Sequence, residues 1–186
     1  MALPADLVAR LHALFPAGAL GLSEADRIAY GYDNSRRQAL ADAVVWSTTH
    51  EQVRDLVLTC RATRVPVIAR GRGTNTTGAT VPVAGGVVVS FERMNRILRI
   101  DPANRLAVVE PGVLNGDLQA ALAAHGFFWP PDPTSSAYCT IGGNLACNSA
   151  GPRTVKYGSP RENTLGLRGV AGSGEAFRCG VYTSKG

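Results

Sequence analysis

Two segments of this chain hold the residues whose types and spacing could do chemistry. The first is PVIARGRGTNTTGAT, residues 66–80, where Gly71, Arg72, Gly73 and Thr74 follow directly on an apolar, strand-like run. Successive backbone N–H groups in such a turn can curl into an anion-binding nest, and glycine lets the main chain approach a phosphate closely. The loop therefore suits a pyrophosphate. Two commoner phosphate loops do not fit. A dinucleotide-binding Rossmann loop reads G-x-G-x-x-G and opens into a helix, but here the third glycine position is Thr76, and Thr80, Pro82, Gly85 and Gly86 prevent a long helix afterwards. A P-loop ends in G-K-[ST], and no lysine occurs between Met1 and Arg153. Taken alone, the segment also allows a plain tight turn that uses glycine only for backbone freedom.

The second segment is PPDPTSSAYCTIGGNLACNSAGPRTVKYGS, residues 130–159. Pro130, Pro131 and Pro133 make a stiff, extended lead-in. Gly142 and Gly143 would then present backbone N–H groups with little side-chain obstruction. Asn144 and Asn148 lie four apart, so on a short helix they would face the same way and could hold a polar ligand together with the backbone.

The elements that must position these segments are partly legible. Leu7, Val8, Leu11, Leu14 and Phe15 recur at helical spacing, which predicts an amphipathic helix from about Pro4 to Pro16. Residues 21–42 are polar and turn-rich, and only Tyr30, Tyr32 and Asp33 stand out as able to reach a ligand. A cleaner unit follows. Ala43 to Trp46 reads as a strand, and Thr48 and Glu51 stand in capping-box spacing. Val53, Leu56, Val57 and Cys60 then share one helical face, and Pro66 to Ala69 reads as a second strand. Its natural geometry is a right-handed parallel crossover. Val87 to Phe91, Ile97 to Ile100 and Leu106 to Val109 read as short strands, with a turn at Asp101 to Asn104. Leu114, Leu118, Ala121 and Leu122 mark a helix ending near His125, with Gly126 as its C-cap. Strand character returns at Leu165 to Ala171 and near Phe177 to Tyr182.

Composition bounds the function classes. The 186 residues, 45% hydrophobic and 18% charged, are enough for one ordinary domain or two small lobes with a genuine core. The net charge of +5 comes from scattered arginines rather than one basic run, and no aromatic platform is interleaved with them, so a nucleic-acid partner is not expected. Cys60, Cys139, Cys147 and Cys179 form no C-x-x-C pair, and His12, His50 and His125 are isolated from one another, so no metal site is expected. No segment approaches the roughly 20 apolar residues of a membrane span. The start of the chain lacks the unbroken apolar stretch of a signal peptide. Reduced thiols point to the cytoplasm, with peripheral membrane association left open.

The two segments, with VVEPGV at 108–113 and KYG at 156–158, resemble the PCMH-type FAD-binding domain of the vanillyl-alcohol oxidase superfamily. More closely, they resemble the family containing D-lactate dehydrogenases, the flavin subunit of glycolate oxidase and D-2-hydroxyglutarate dehydrogenase. The resemblance runs from about Ala41 onward and rests on PVIARGRGTNTTG, VVEPGV and PPDPTSSAYCTIGGNLACNSAGP in order.

It implies an α+β fold in two lobes, a small parallel β-α-β lobe and a larger mixed or antiparallel sheet lobe. Beside the N-terminal helical segment over 1–40 read from spacing, it further implies an FAD-binding domain over 41–186 that is cut short at its C-terminus, and a substrate domain beyond it. Gly71, Arg72, Gly73, Thr74, Asn75 and Gly78 would cradle the FAD pyrophosphate. Pro131, Asp132, Thr134, Thr140, Ile141, Gly142, Gly143, Asn144 and Asn148 would line the rest of the cofactor. Because the loop lacks the histidine that some relatives use for covalent attachment, FAD is expected to bind non-covalently. The implied reaction is oxidation of a 2-hydroxy acid to a 2-oxo acid by hydride transfer to FAD. The substrate would be held by the missing half, a separate electron acceptor would follow, and no catalytic residue in this chain can be named. Alternatives are another FAD-dependent oxidoreductase on the same fold, or a flavin- or nucleotide-binding module without catalysis.

Overall fold

The computed structural model describes residues 3–182. They divide into two compact units, one of residues 3–93 with 168–177 and one of 94–167 with 178–182.

The first unit is built on a four-stranded sheet. Helix α1 (Ala5–Leu14) starts at Pro4 and ends at Phe15, as its apolar spacing predicts. Strand β1 (Leu20–Gly21) pairs antiparallel with β2 (Ala43–Trp46), and helix α3 (His50–Ala62) then leads to β3 (Val67–Arg70). Strand β4 (Val87–Ser90) lies between β2 and β3 and is parallel to both, giving the order β1-β2-β4-β3. The crossover is therefore parallel, as expected, but its two strands are separated by a third. Helix α3 is capped by Thr49, whose hydroxyl accepts from the Gln52 N–H at 3.2 Å, one residue later than the expected capping box. Thr48 instead donates its own N–H to the Gln52 side chain at 2.8 Å.

Alternation along the strands sends side chains to two cores. Ala43, Val45, Val87 and Val89 pack with Leu7, Leu11 and Phe15 of α1 and Leu56 and Cys60 of α3. Val44 and Val88 face the other way, with Ala41, Tyr30, Trp46 and Ile68. Within the stretch that sequence leaves unassigned, Ser23 caps a short helix α2 (Glu24–Ala29) that buries none of its own residues. Its form is set by what it touches: the Arg27 side chain donates to the Ala41 carbonyl at 2.6 Å.

In the second unit, β5 (Ile97–Asp101) and β6 (Leu106–Val109) form an antiparallel ribbon, and the Asp101 carboxylate accepts from the Asn104 N–H in the turn between them. Helix α4 (Asn115–Ala123) and the short helices α5 (Ile141–Cys147) and α6 (Thr154–Tyr157) follow. The core is Val113, Leu118, Leu122 and Ile141, packed with Ile97, Ile100, Val109 and Trp129. Buried Glu110 is held by Arg96, whose guanidinium lies 2.7 Å from one carboxylate oxygen while its N–H donates to the other at 2.8 Å. The last ribbon pairs β7 (Gly166–Val170) with β8 (Ala176–Gly180), and its tip falls in the first unit, where Arg61 donates to the Ser173 carbonyl. Among the described residues no helix is long and apolar enough to cross a membrane.

Candidate functional site

The first glycine segment leaves the end of β3 as an open loop. Its carbonyls are partly taken up: Gly73 O accepts from the Asn34 N–H at 3.3 Å and Thr74 O from the Asn34 side chain at 3.4 Å. Its N–H groups are not. Among the described residues, none of the N–H groups from Arg72 to Thr76 meets a protein acceptor. Main-chain donors buried from water are nearly always paired, so a run without protein acceptors after a strand has the geometry to take an anion.

Asn75 turns inward. Its side-chain oxygen accepts from Thr77 N and Oγ1 and from Ala79 N, and its amide donates to Thr80 Oγ1, so it braces the loop rather than presenting an amide outward. Arg72 reaches Glu92 at 3.2 Å. Gly78 has φ +80° and lies against Arg37 and Ser35.

Beneath this loop, Tyr30, Tyr32 and Asp33, which the sequence singles out, join a network whose centre, Arg70, sequence reasoning missed. Arg70, the last residue of β3, is only 6% exposed. Its guanidinium donates to Tyr32 O at 2.6 Å and to Thr80 Oγ1 at 3.3 Å, and it lies 5.3 Å from the Tyr30 ring centroid and 5.9 Å from that of Tyr32. Thr80 in turn donates to Asp33 Oδ2 at 3.1 Å. Burial alone would raise the Asp33 carboxyl, but hydrogen bonds from Ser35 and Thr80 outweigh it and hold the group below its ordinary value. Gly73 has φ +66°, and a Cβ there would overlap the Arg70 guanidinium. The glycine thus serves packing onto Arg70 as well as access to the loop. One signal in the sequence could have found Arg70: a charged residue closing an apolar strand.

In the second unit the donors are already engaged. Ile141 N donates to Val113 O and Gly142 N to Pro111 O, both at 2.8 Å, while Gly143 N donates to the capping Thr140 hydroxyl at 3.1 Å. The N–H pair expected to be free at Gly142 and Gly143 is therefore taken by the protein. A Cβ on Gly142 would come within 2.7 to 3.1 Å of Pro111, so close packing explains that glycine.

Asn144 and Asn148 do not act as a pair. Asn144 is buried with its amide nitrogen unpartnered, whereas Asn148 caps α5 in the left-handed conformation and accepts from Ser159 Oγ and Arg161 N. The preceding segment is held by α4. Asn115 donates its N–H to Cys139 O and its amide to Pro131 O, Gly116 N donates to Ser136 O, and the Gln119 amide bonds the Trp129 backbone in both directions. Asp132 pairs with Arg153, while Thr134 is exposed. A cavity of about 350 Å³ opens among Asn115, Gly116, Gln119, Asp132, Ser136 and Arg153, and the buried Asn115 side-chain oxygen has no partner.

Each unit offers groups that suit part of a flavin dinucleotide: in the first, free main-chain N–H groups beside a buried cation suit its diphosphate, and in the second, an unpartnered amide donor of Asn144 and acceptor of Asn115 suit polar edges. The FAD binding domain family matches residues 41–180. The chain belongs to that family. FAD is the cofactor that goes with this membership, and the fold is the PCMH-type α+β fold. The glycolate oxidase subunit GlcD of Bacillus subtilis (strain 168) is 42% identical over 164 residues, covering 88% of this chain and 35% of the relative. A D-lactate dehydrogenase of Anaerostipes hadrus is 35% identical over 154 residues, covering 83% and 31%. The solved structure of an alkyldihydroxyacetonephosphate synthase superposes with a TM-score of 0.86 at 27% identity, covering 96% of this chain and 38% of that one. The chain thus spans about a third of the length of the curated relatives it matches. Among the described residues no cluster of His, Cys, Asp and Glu could hold a metal ion.

Proposed function

We propose that this chain is the FAD-holding part of a flavin-dependent 2-hydroxy-acid dehydrogenase. The observation that carries the reading is the run of unpaired N–H groups from Arg72 to Thr76 in a chain of the FAD binding domain family. The family relatives named as glycolate oxidase subunit, D-lactate dehydrogenase and D-2-hydroxyglutarate dehydrogenase support the substrate class. When bound, FAD would supply a hydride acceptor for the carbon bearing the hydroxyl of a 2-hydroxy acid, and loss of that hydride together with the hydroxyl proton gives the 2-oxo acid.

The work of the chain's own residues is binding and orientation. In the first unit, the main chain of Gly71 to Asn75 and of Gly78 takes the diphosphate, and Asn75 keeps the loop in shape. In the second unit, Pro131, Asp132, Thr134, Thr140, Ile141, Gly142, Gly143, Asn144 and Asn148 shape the wall along the remainder of the cofactor. Asn144 offers its buried amide, while Thr140 and Asn148 fix the two ends of α5.

FAD is held without a covalent bond, so acid precipitation should release yellow flavin into the supernatant; flavin retained on the pellet overturns this point. Titration with FAD and with NAD tests the cofactor site, with tighter NAD binding the adverse result. The substrate class is tested anaerobically on a protein that carries this chain at its relatives' full length. D-lactate, glycolate or D-2-hydroxyglutarate should bleach the flavin absorbance, and the class fails if none of the three does. A separate electron acceptor then completes turnover.

A further inference from the structure

We propose that Arg70, rather than a side chain on the rim of the loop, is the fixed positive charge of the FAD diphosphate site. This rests on the reading that the loop after β3 takes the diphosphate. A buried guanidinium is costly unless charge or hydrogen bonds compensate it. Around Arg70 the compensation is incomplete. Its Nε is buried without a partner, and among the described residues no carboxylate comes within ion-pair distance. Its partners are a carbonyl, a hydroxyl and two aromatic rings, all neutral. Glu92 and Asp33 act on it through their charge but neither bonds it directly: Asp33 accepts from Thr80, and Glu92 accepts from Tyr30.

The charge is also in the right place. The guanidinium lies directly against Gly73, in the middle of the unpaired N–H run, so close that a Cβ there would overlap it. Arg72, the cation that the sequence puts forward, is half exposed and paired with Glu92. A screened, neutralised charge at the surface contributes little, whereas a desolvated one held by Tyr30, Tyr32 and Thr80 keeps its field and pays no reordering cost when an anion arrives. Tyr30, Tyr32 and Asp33 all precede residue 41, where the family match begins, so the segment before that match holds the charge beneath the loop.

The experiment compares FAD with riboflavin, which carries no phosphate, by fluorescence titration of the whole chain. The wild type should bind FAD more tightly than riboflavin. Arg70→Gln should reduce that advantage by about tenfold or more, the scale of a charge-assisted contact against a neutral one, while riboflavin affinity changes much less. Arg70→Lys, which keeps the charge, should retain most of the advantage. A wild type without preference for FAD overturns the loop assignment and this inference with it. A wild-type preference that Arg70→Gln leaves intact, or equal losses for both flavins, overturns this inference alone. If neither Arg70 variant folds, Asp33→Asn decides. Removing that anion leaves Arg70 less compensated, so the FAD advantage should rise, and an unchanged or smaller advantage sinks the proposal.

Discussion

The two glycine-rich segments look alike as sequence and differ in what their main chains do. In the loop after β3 the N–H groups of Arg72 to Thr76 are unpaired while carbonyls are tied to Asn34. At the start of α5 the N–H groups of Ile141, Gly142 and Gly143 are all engaged, by Val113, Pro111 and Thr140. The first segment leaves its donors without protein acceptors; the second is a packed joint. Glycine supports both for different reasons, and neighbours distant in sequence decide which applies.

The comparison breaks most readily at Gly142. Gly142→Ala should lower stability by about 1 to 3 kcal/mol, because the new methyl meets the Pro111 backbone, which has little room to shift. Denaturant melts that leave the midpoint in place would show that the joint is loose.

Gly73→Ala should cost at least about 1 kcal/mol for its left-handed backbone, and its methyl strikes the buried Arg70 guanidinium, which must move off its Tyr32 and Thr80 partners. The same movement should cost FAD affinity more than it costs stability. Equal losses in the two measurements would erase the distinction between the segments.

Acid separates them next. Asp33 has a folded pKa below its ordinary value of about 3.9. Its contribution to stability is therefore fully present above that ordinary value and is lost as pH falls through the folded one. The stability gap between wild type and Asp33→Asn should be widest near neutrality and close below about pH 4. Amide exchange should then quicken at Ser35, Thr77 and Ala79, whose N–H groups bond Asp33 and Asn75, before it does in α5, whose N-terminus is held by neutral groups. Simultaneous loss of protection would contradict that order.

The smallest effect is expected at Gly143→Ala, where only the Thr140 hydroxyl comes close, at 3.1 Å. Helix propensity favours alanine, so the change should stay within roughly 1 kcal/mol of neutral. A loss as large as that at Gly142 would mean that all of α5 is tightly packed.

What could be read from sequence was local. Leu7 and Leu11 announce α1, and the apolar runs at Ala43 and Val87 announce β2 and β4, because a periodic apolar face is written into consecutive residues. The cap of α3 slipped by one residue, from Thr48 to Thr49, since either hydroxyl can serve. Helix α2 was illegible because it buries no residue of its own. The loop's brace escaped for another reason: Tyr32 and Arg70 stand 38 residues apart and Asp33 and Thr80 stand 47 apart, and nothing local joins them. The open N–H groups of Gly142 and Gly143 were misjudged in the same way, because their acceptors include a carbonyl from before α4.

The placement of β4 between β2 and β3 has a consequence for how the chain finds its fold. The strands joined by α3 never bond to each other, so the parallel part of the sheet cannot start as a local pairing and must wait until Val87–Ser90 docks. Closing contacts over that distance makes the docking of β4 a slow, entropy-limited step. Val88 stands opposite both Val44 and Ile68, so it belongs to the nucleus on either side. Val88→Ala should slow refolding with a φ-value well above that of Leu7→Ala in α1, whose packing can follow once the sheet exists. A Val88 variant that changes only the unfolding rate would show that the sheet assembles late.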